Sequence, residues 1–82
     1  MFTNELKKGD RILQFNGWYG TIKDNAKGNI RIAEVEGFET ETGSIYAHDI
    51  AFKINPDGLR TRIEHTPAQI KLRNEVTQMF GG

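Results

Sequence analysis

Two large aromatic side chains, Trp18 and Tyr19, stand between Gly17 and Gly20 near the start of the chain. Aromatic rings at a turn can stack on unpaired bases, and each such contact is worth about 1 to 3 kcal/mol. The same rings can anchor a protein partner, or they can cover the chain's own core. The residue types therefore predict a site at residues 16–20 and leave these three uses open.

Basic residues that can neutralise phosphates stand on both sides of the aromatic pair. If strand pairing gathers them on one face, they form a candidate nucleic-acid site with the rings. That site comprises Trp18, Tyr19, Arg11, Lys23, Lys27 and Arg31, with Lys7, Lys8, Phe15 and Tyr46 as further candidates. The overall charge counts against a strong general binder, because eleven basic and eleven acidic residues leave no net charge. Tight sequence-independent binding normally accompanies a basic excess.

A run of carboxylates between Glu34 and Glu41 repels nucleic acid and has two other interpretations. It can be a solvated sheet edge that discourages aggregation. It can also be an anionic face that docks on a basic protein surface. The alternative site, for a protein partner, comprises Glu34, Glu36, Glu39, Glu41 and Ile70.

The two histidines do not form a pattern that indicates catalysis. His48 precedes Asp49, but neighbouring residues in a strand point to opposite faces, and no serine or cysteine nucleophile motif accompanies them. His65 precedes a helix cap, and residues 24–28 lack the acidic spacing of a calcium loop. The chain also has no cysteine. We therefore expect a protein that is not an enzyme and that holds no metal and no cofactor.

The elements that position these residues are short strands, because turn-forming residues recur at close spacing as far as Ile54. The pattern predicts strands over residues 10–15, 19–23, 29–36, 38–41, 44–46 and 51–54. Turns are predicted at residues 16–17, with positive φ at both positions, and at residues 25–28, 36–37 and 42–43. Within the third strand the hydrophobic alternation changes phase, which indicates two covered faces or a β-bulge.

The remainder of the chain adds a hairpin strand and a helix. Residues 55–58 fit a type I turn and lead to a return strand over residues 59–64. Thr66, Pro67 and Gln69 supply the N-cap, the first helical proline and the capping-box partner of a helix over residues 67–80. The stripe predicted to dock on the sheet comprises Ala68, Leu72, Val76 and Met79, with Phe80 at its edge and Gly81 as the stop.

The first strands resemble the opening of KOW-type small barrels of the Src-homology-three-like (SH3-like) fold. The shared pattern is the Gly9-Asp10 entry to the first strand, a glycine-bearing turn, and the step Gly20-Thr21-Ile22 into the second strand. The resemblance covers residues 6–54 and implies a strongly bent β-barrel, with residues 44–50 making a tight turn before the last strand. Such barrels often contact RNA or RNA-bound proteins, so the resemblance implies an RNA, DNA or nucleoprotein partner.

These observations predict a single domain over residues 1–82 that is mainly β. It consists of the SH3-like barrel over residues 6–54, the hairpin strand over 59–64 and the C-terminal helix over 67–80. We expect a cytoplasmic protein without a membrane partner, because no apolar stretch approaches the roughly 20 residues of a membrane span. Two functions remain open: a non-catalytic module for nucleic acid or nucleoprotein, and a protein-interaction module that uses the acidic run and does not bind nucleic acid.

Overall fold

The computed structural model describes residues 1–25 and 28–79, with the backbone alone for residues 76–79. These residues form a six-stranded antiparallel sheet, short 3₁₀ helices and one α-helix, so the protein is mainly β as predicted. The strands are β1 (Arg11–Gln14), β2 (Tyr19–Asp24), β3 (Ile30–Glu36), β4 (Thr40–Tyr46), β5 (Ile50–Ile54) and β6 (Arg60–Arg62). The 3₁₀ helices are Thr3–Glu5 and Ala47–Asp49, and the α-helix is α1 (Pro67–Met79).

The strand order in the sheet is β4-β3-β2-β1-β5-β6. The first four strands form a meander, and β5 returns to pair with β1 on the side away from β2. β4 and β6 are therefore the edges. In the described part of the chain no ladder joins these edges, so the sheet is open and the predicted closed barrel is not observed.

The turn between β1 and β2 differs from the predicted one in its backbone. The amide of Gly17 donates to the carbonyl of Gln14 at 3.0 Å, and Gln14 in turn donates to the carbonyl of Trp18 at 3.0 Å. Gly17 has φ of 89°, whereas Asn16 does not have positive φ. The loop is thus a type I turn closed by a glycine bulge, a standard three-residue hairpin loop, rather than a two-residue turn with both φ values positive.

The turn between β5 and β6 confirms the prediction for residues 55–58. The amide of Gly58 donates to the carbonyl of Asn55 at 2.9 Å, which is the hydrogen bond of the expected type I turn. Asn55 also donates its side-chain amide to the hydroxyl of Thr61 at 2.9 Å, which ties the turn to the return strand. That strand is shorter than predicted and covers only residues 60–62.

β4 is one continuous strand, so the predicted turn at Thr42-Gly43 is wrong. Thr42 pairs with Glu34 and Gly43 pairs with Ala33, in a ladder without a register shift. Gly43 does not have positive φ. The ladder with β3 decides the conformation here, because each residue of β4 finds a partner across the strand pair.

The core lies on one face of the sheet and consists of large aliphatic side chains. It contains Leu6, Ile12, Ile22, Ile50 and Ile63. Complete burial of each such side chain contributes roughly 1.5 to 3 kcal/mol. The β-bulge that was one of two interpretations for β3 is not in that strand. The irregularity lies in its partner β2, where the pairing shifts register between Ile22 and Asp24.

Helix α1 begins as predicted but docks through a different face. Gln69 and Thr66 form the capping box, with reciprocal backbone-to-side-chain bonds of 3.2 and 3.0 Å. Gln69 also donates to the hydroxyl of Thr3 at 2.9 Å, and Arg73 lies over the ring of Phe15.

The predicted docking stripe of α1 is therefore wrong over its described part. Ala68 is exposed and Leu72 is 37 % exposed, because α1 turns the side that carries Gln69 and Arg73 toward Thr3 and Phe15. The side chains of Val76 and Met79, together with Phe80 and Gly81, lie outside the described residues. No helix in the described part of the chain is long and apolar enough to cross a membrane.

Candidate functional site: an acidic and aromatic cleft

Trp18 lies just after the β1–β2 turn, and its indole packs on the backbone of the β3–β4 turn. The backbone amide of Trp18 donates to the side-chain oxygen of Asn16 at 2.9 Å, which holds the turn. A Cβ atom at Gly37 would lie only 2.5 Å from Cζ3 of the indole. Gly37 therefore permits the close approach of the ring. The side chain remains 40 % exposed, so Trp18 belongs to the surface rather than to the core.

Phe38 is the aromatic residue that sequence reasoning missed. It is 98 % exposed at the tip of the β3–β4 turn, and its ring meets the ring of Trp18 edge to face, with the centroids 5.7 Å apart. Its position between Gly37 and Glu39 is the signal that was available in the sequence. Together with Trp18 it forms an exposed aromatic pair at this end of the sheet.

These two rings and two carboxylates line a cleft of about 260 Å³, which we call the acidic–aromatic cleft. Its residues are Trp18, Phe38, Glu39 and Glu41. A second cleft, also of about 260 Å³, shares Trp18 and Glu41 and continues along β4 as far as Ile45. The faces of aromatic rings carry negative potential, so rings and carboxylates together favour a cation.

The acidic run divides into two parts with different electrostatics. Glu36 pairs with Arg11 at 2.7 Å, and Glu34 pairs with Lys23 at 3.4 Å. Within the described residues, neither Glu39 nor Glu41 forms an ion pair. The unpaired negative charge therefore lies at the end of the run that meets the aromatic rings.

The same ion pairs change the interpretation of the predicted basic face. Arg11 and Lys23 are engaged with glutamates of β3. Arg11 also lies over the half-buried ring of Tyr19, 5.1 Å from its centroid, and so covers one face on which a base would stack. Lys27 lies outside the described residues.

Arg31 is completely buried, which corrects the expectation that it faces a phosphate on the surface. One terminal guanidinium nitrogen donates to the carbonyls of Gly28 and Ile30 at 2.7 and 3.1 Å, and the other donates to the side-chain oxygen of Asn4 at 2.7 Å. Burial lowers the pKa of Arg31 from its ordinary value. These bonds offset part of the cost of burying a charge, although Nε of Arg31 has no hydrogen-bond partner among the described residues, and they tie the N-terminal segment to β3.

A third cleft, of about 450 Å³, lies at the opposite edge of the sheet beneath α1. We call it the basic–aromatic cleft and define it by Phe15, Arg62, His65 and Arg73, which line it. Glu64 also lines the cleft, and its carboxylate pairs with the N-terminal ammonium group at 3.2 Å. The guanidinium of Arg73 lies 5.1 Å from the ring centroid of Phe15, and the ring of His65 lies 5.8 Å from it. Ile70 lines this cleft and none of the predicted acidic residues does, so the structure separates Ile70 from the acidic run.

Both histidines lie in the joint between the Ala47–Asp49 helix and α1. His48 is buried, stacks on Tyr46 with ring centroids 5.0 Å apart, and places Nδ1 3.3 Å from the side-chain oxygen of Asn29. Burial lowers the pKa of His48, and the Asp49 carboxylate partly opposes this effect. Burial also lowers the pKa of His65. These contacts give His48 a structural role and occupy one face of Tyr46.

The residues described here do not contain any group of three or more acidic or histidine side chains that could hold a metal ion. No known protein-family model, curated protein or solved structure matches the chain. The geometry of these clefts and the charges that line them are therefore the features that bear on function.

Proposed function

We propose that this protein is a non-catalytic interaction module that binds a cationic side chain of a protein partner in the acidic–aromatic cleft. The observation that carries the proposal is the exposure of Trp18 and Phe38 beside the carboxylates of Glu39 and Glu41, which have no ion-pair partner among the described residues. A lysine or arginine over an aromatic face gains about 0.5 to 2 kcal/mol. A carboxylate that accepts from the same cation adds a charge-assisted hydrogen bond.

The surroundings of Trp18 favour a basic protein segment over nucleic acid. Three cationic residues were expected near Trp18. Arg11 and Lys23 are paired with glutamates, and Arg31 is buried. Carboxylates rather than cations line the cleft beside the indole. A phosphate backbone at this position would meet like charge, which costs affinity instead of adding to it.

The finer assignment of the fold, an SH3-like small barrel, belongs to the same proposal. It is supported by the four-stranded meander, by the return of β5 to β1, and by the Ala47–Asp49 helix, which lies where such barrels turn tightly. The open interval between β4 and β6 is a departure from a closed barrel. In this proposal the sheet is a cytoplasmic scaffold that presents the hairpin aromatics.

A titration with a lysine-rich peptide tests the proposed function, with Trp18 fluorescence as the signal. We expect saturable binding that Trp18→Ala abolishes as measured by calorimetry, and that Phe38→Ala weakens. The double variant Glu39→Gln/Glu41→Gln removes the unpaired charge and is expected to weaken binding about tenfold, the scale of one lost charge-assisted hydrogen bond.

The chain offers a matched control for this charge change. Glu34→Gln/Glu36→Gln alters the net charge by the same amount but acts on the two glutamates that are already paired. This control variant is expected to bind the peptide nearly as well as the unmodified protein. Equal weakening by both double variants would show that general negative charge, rather than the cleft, attracts the peptide and would contradict the proposal.

Nucleic-acid binding remains a second candidate function, favoured by a separate observation at the other edge of the sheet. In the basic–aromatic cleft the guanidinium of Arg73 covers one face of Phe15, but the ring remains 58 % exposed, and Arg62 and Glu64 line the same cleft. An exposed ring beside cations is the combination on which single-stranded nucleic acids stack. A titration with short single-stranded RNA and DNA should then shift amide signals around Phe15, weaken with salt, and fail in Phe15→Ala. Shifts around Trp18 alone would argue against this cleft.

A further inference from the structure

The edge strand β4 presents a row of backbone groups that β3 does not use. Two hydrogen bonds continue its ladder at the ends: Ala47 donates to the carbonyl of Asn29 at 2.8 Å, and Gly37 donates to the carbonyl of Glu39 at 3.2 Å. Residues of an antiparallel pair alternate between hydrogen-bonded and non-hydrogen-bonded positions. With the observed register, the odd-numbered residues of β4 bond to β3. The amides and carbonyls of Thr40, Thr42, Ser44 and Tyr46 therefore point outward.

This edge lacks most of the features that normally prevent strand addition. β4 is seven residues long and contains no proline, and its pairing with β3 has no bulge. Protected edges are usually short, bulged or covered. The opposite edge shows this protection, because β6 has only three residues and the chain after it is bridged to the N-terminal segment through Phe2 and Glu64.

The charge along β4 selects the kind of strand that can be added. Glu41 lies on the strand and Glu39 lies just before it, and both are unpaired among the described residues. The cleft that continues from Trp18 along β4 lies on the face that carries Glu41, Gly43 and Ile45. Because side chains of a strand alternate between faces, an added strand would place every second side chain over this cleft.

We propose that the partner is an extended basic peptide that adds to β4 as a seventh strand and places a cationic side chain in the acidic–aromatic cleft. This inference rests on the proposed function and gives its mode of recognition. Backbone hydrogen bonds to Thr42 and Ser44 hold the peptide, and the glutamates require cationic residues at alternate positions. A second copy of this chain is a poorer occupant, because pairing two β4 strands would bring their glutamates close together, and like charges across a strand pair repel.

Backbone methylation separates strand addition from simple charge attraction. The probe is a nine-residue peptide in which lysine and threonine alternate. One twin carries N-methyl groups on its lysine residues and the other carries them on its threonine residues, so that all three peptides have the same charge. In an added strand only one of these residue sets directs its amides toward β4. We expect the twin that is methylated on this residue set to bind about tenfold more weakly than the unmodified peptide, because it loses backbone hydrogen bonds. The other twin is expected to bind like the unmodified peptide.

Hydrogen exchange and one edge variant locate the peptide on the protein. On binding, the amides of Thr42 and Ser44 should gain protection, whereas those of Gly43 and Ile45 are already bonded to β3 and should change little. Thr42→Pro removes an outward donor without removing a bond to β3, a position that an edge strand tolerates. It is expected to weaken peptide binding much more than Thr42→Val, which changes the same side chain but keeps the amide. Circular dichroism checks that both variants are folded.

The outcomes distinguish the two proposals. Equal binding of both methylated twins, with sensitivity to Glu39→Gln/Glu41→Gln, would overturn strand addition and leave the cation cleft in place. If none of the three peptides binds, both proposals are overturned. Concentration-dependent dimerisation of the protein alone, with protection of Thr42 and Ser44, would identify a second copy as the occupant and overturn the basic peptide.

Discussion

The two edges of the sheet carry the same kind of residue in opposite electrostatic settings. At the β4 edge, Trp18 and Phe38 stand beside Glu39 and Glu41, which form no ion pair in the described part of the chain, and β4 itself is seven residues long. At β6, Phe15 stands beside Arg62 and Arg73 under the cover of α1. A net charge of zero therefore conceals one cleft lined by glutamates and another in which two arginines stand against one glutamate. Partner chemistry follows the local arrangement of charge rather than the total, because screening limits surface charges to a range of about 8 to 10 Å.

The largest difference between the two regions is expected in their contribution to stability. Ile63 is buried in the core beside the basic–aromatic cleft, whereas Phe38 is almost fully exposed. Ile63→Ala should lower the free energy of unfolding by about 2 to 5 kcal/mol, through lost burial and a cavity. Phe38→Ala should change it by less than about 0.5 kcal/mol. Chemical denaturation measures both free energies. Similar losses for the two variants would mean that Phe38 contributes to folding as much as Ile63 does, which would contradict this difference between the two regions.

A smaller destabilisation is expected from filling the space under Trp18. Gly37→Ala places a methyl group where the indole lies and should cost about 1 to 3 kcal/mol by overpacking. It should also change the emission of Trp18 and weaken peptide binding at the acidic–aromatic cleft. Gly43→Ala in the same hairpin is the control for stability and for the emission of Trp18, because nothing lies within 4 Å of its added atom. Identical effects of the two substitutions would show that the indole does not depend on Gly37.

The histidine joint on the α1 side should make stability depend on pH. Burial lowers the pKa values of His48 and His65 in the folded protein, so the unfolded chain takes up protons first on acidification. Stability is therefore complete above the ordinary histidine pKa and falls as the pH drops below it, levelling off once the folded-state pKa values are passed. Thermal unfolding should show a lower midpoint at pH 5 than at pH 7.5, and His48→Gln should reduce that difference. An unchanged difference would assign the effect to other groups.

The smallest effect on stability is expected from removing the ion pairs of Glu34 and Glu36, the neutralised part of the acidic run. Arg11 and Glu36 are both partly exposed, so Glu36→Gln should cost no more than about 1 kcal/mol of stability. High salt should remove most of that cost. A larger loss that salt does not change would mean that the pair supports the packing of Arg11 on Tyr19 rather than acting through charge.

Features that depend on neighbouring residues were predicted from the sequence more accurately than features that depend on distant residues. The type I turn at residues 55–58 and the capping box of Thr66 and Gln69 were predicted from sequence, because their hydrogen bonds join residues only three positions apart. The strands were predicted with small errors at their ends. Thr42-Gly43 was misread as a turn, since turn-forming residues yield to a strand whenever a neighbouring strand offers a full ladder.

By itself, the sequence determined a small β-rich chain with a C-terminal helix, several turns and a balanced charge. Tertiary structure alone decided that Arg31 lies inside while Ile30 is exposed, and that α1 docks through Gln69 and Arg73. It also decided which glutamates are neutralised and which remain unpaired beside Trp18. The physical reason is that burial and ion pairing depend on which residues face each other across strands, and register links positions that are distant in the chain.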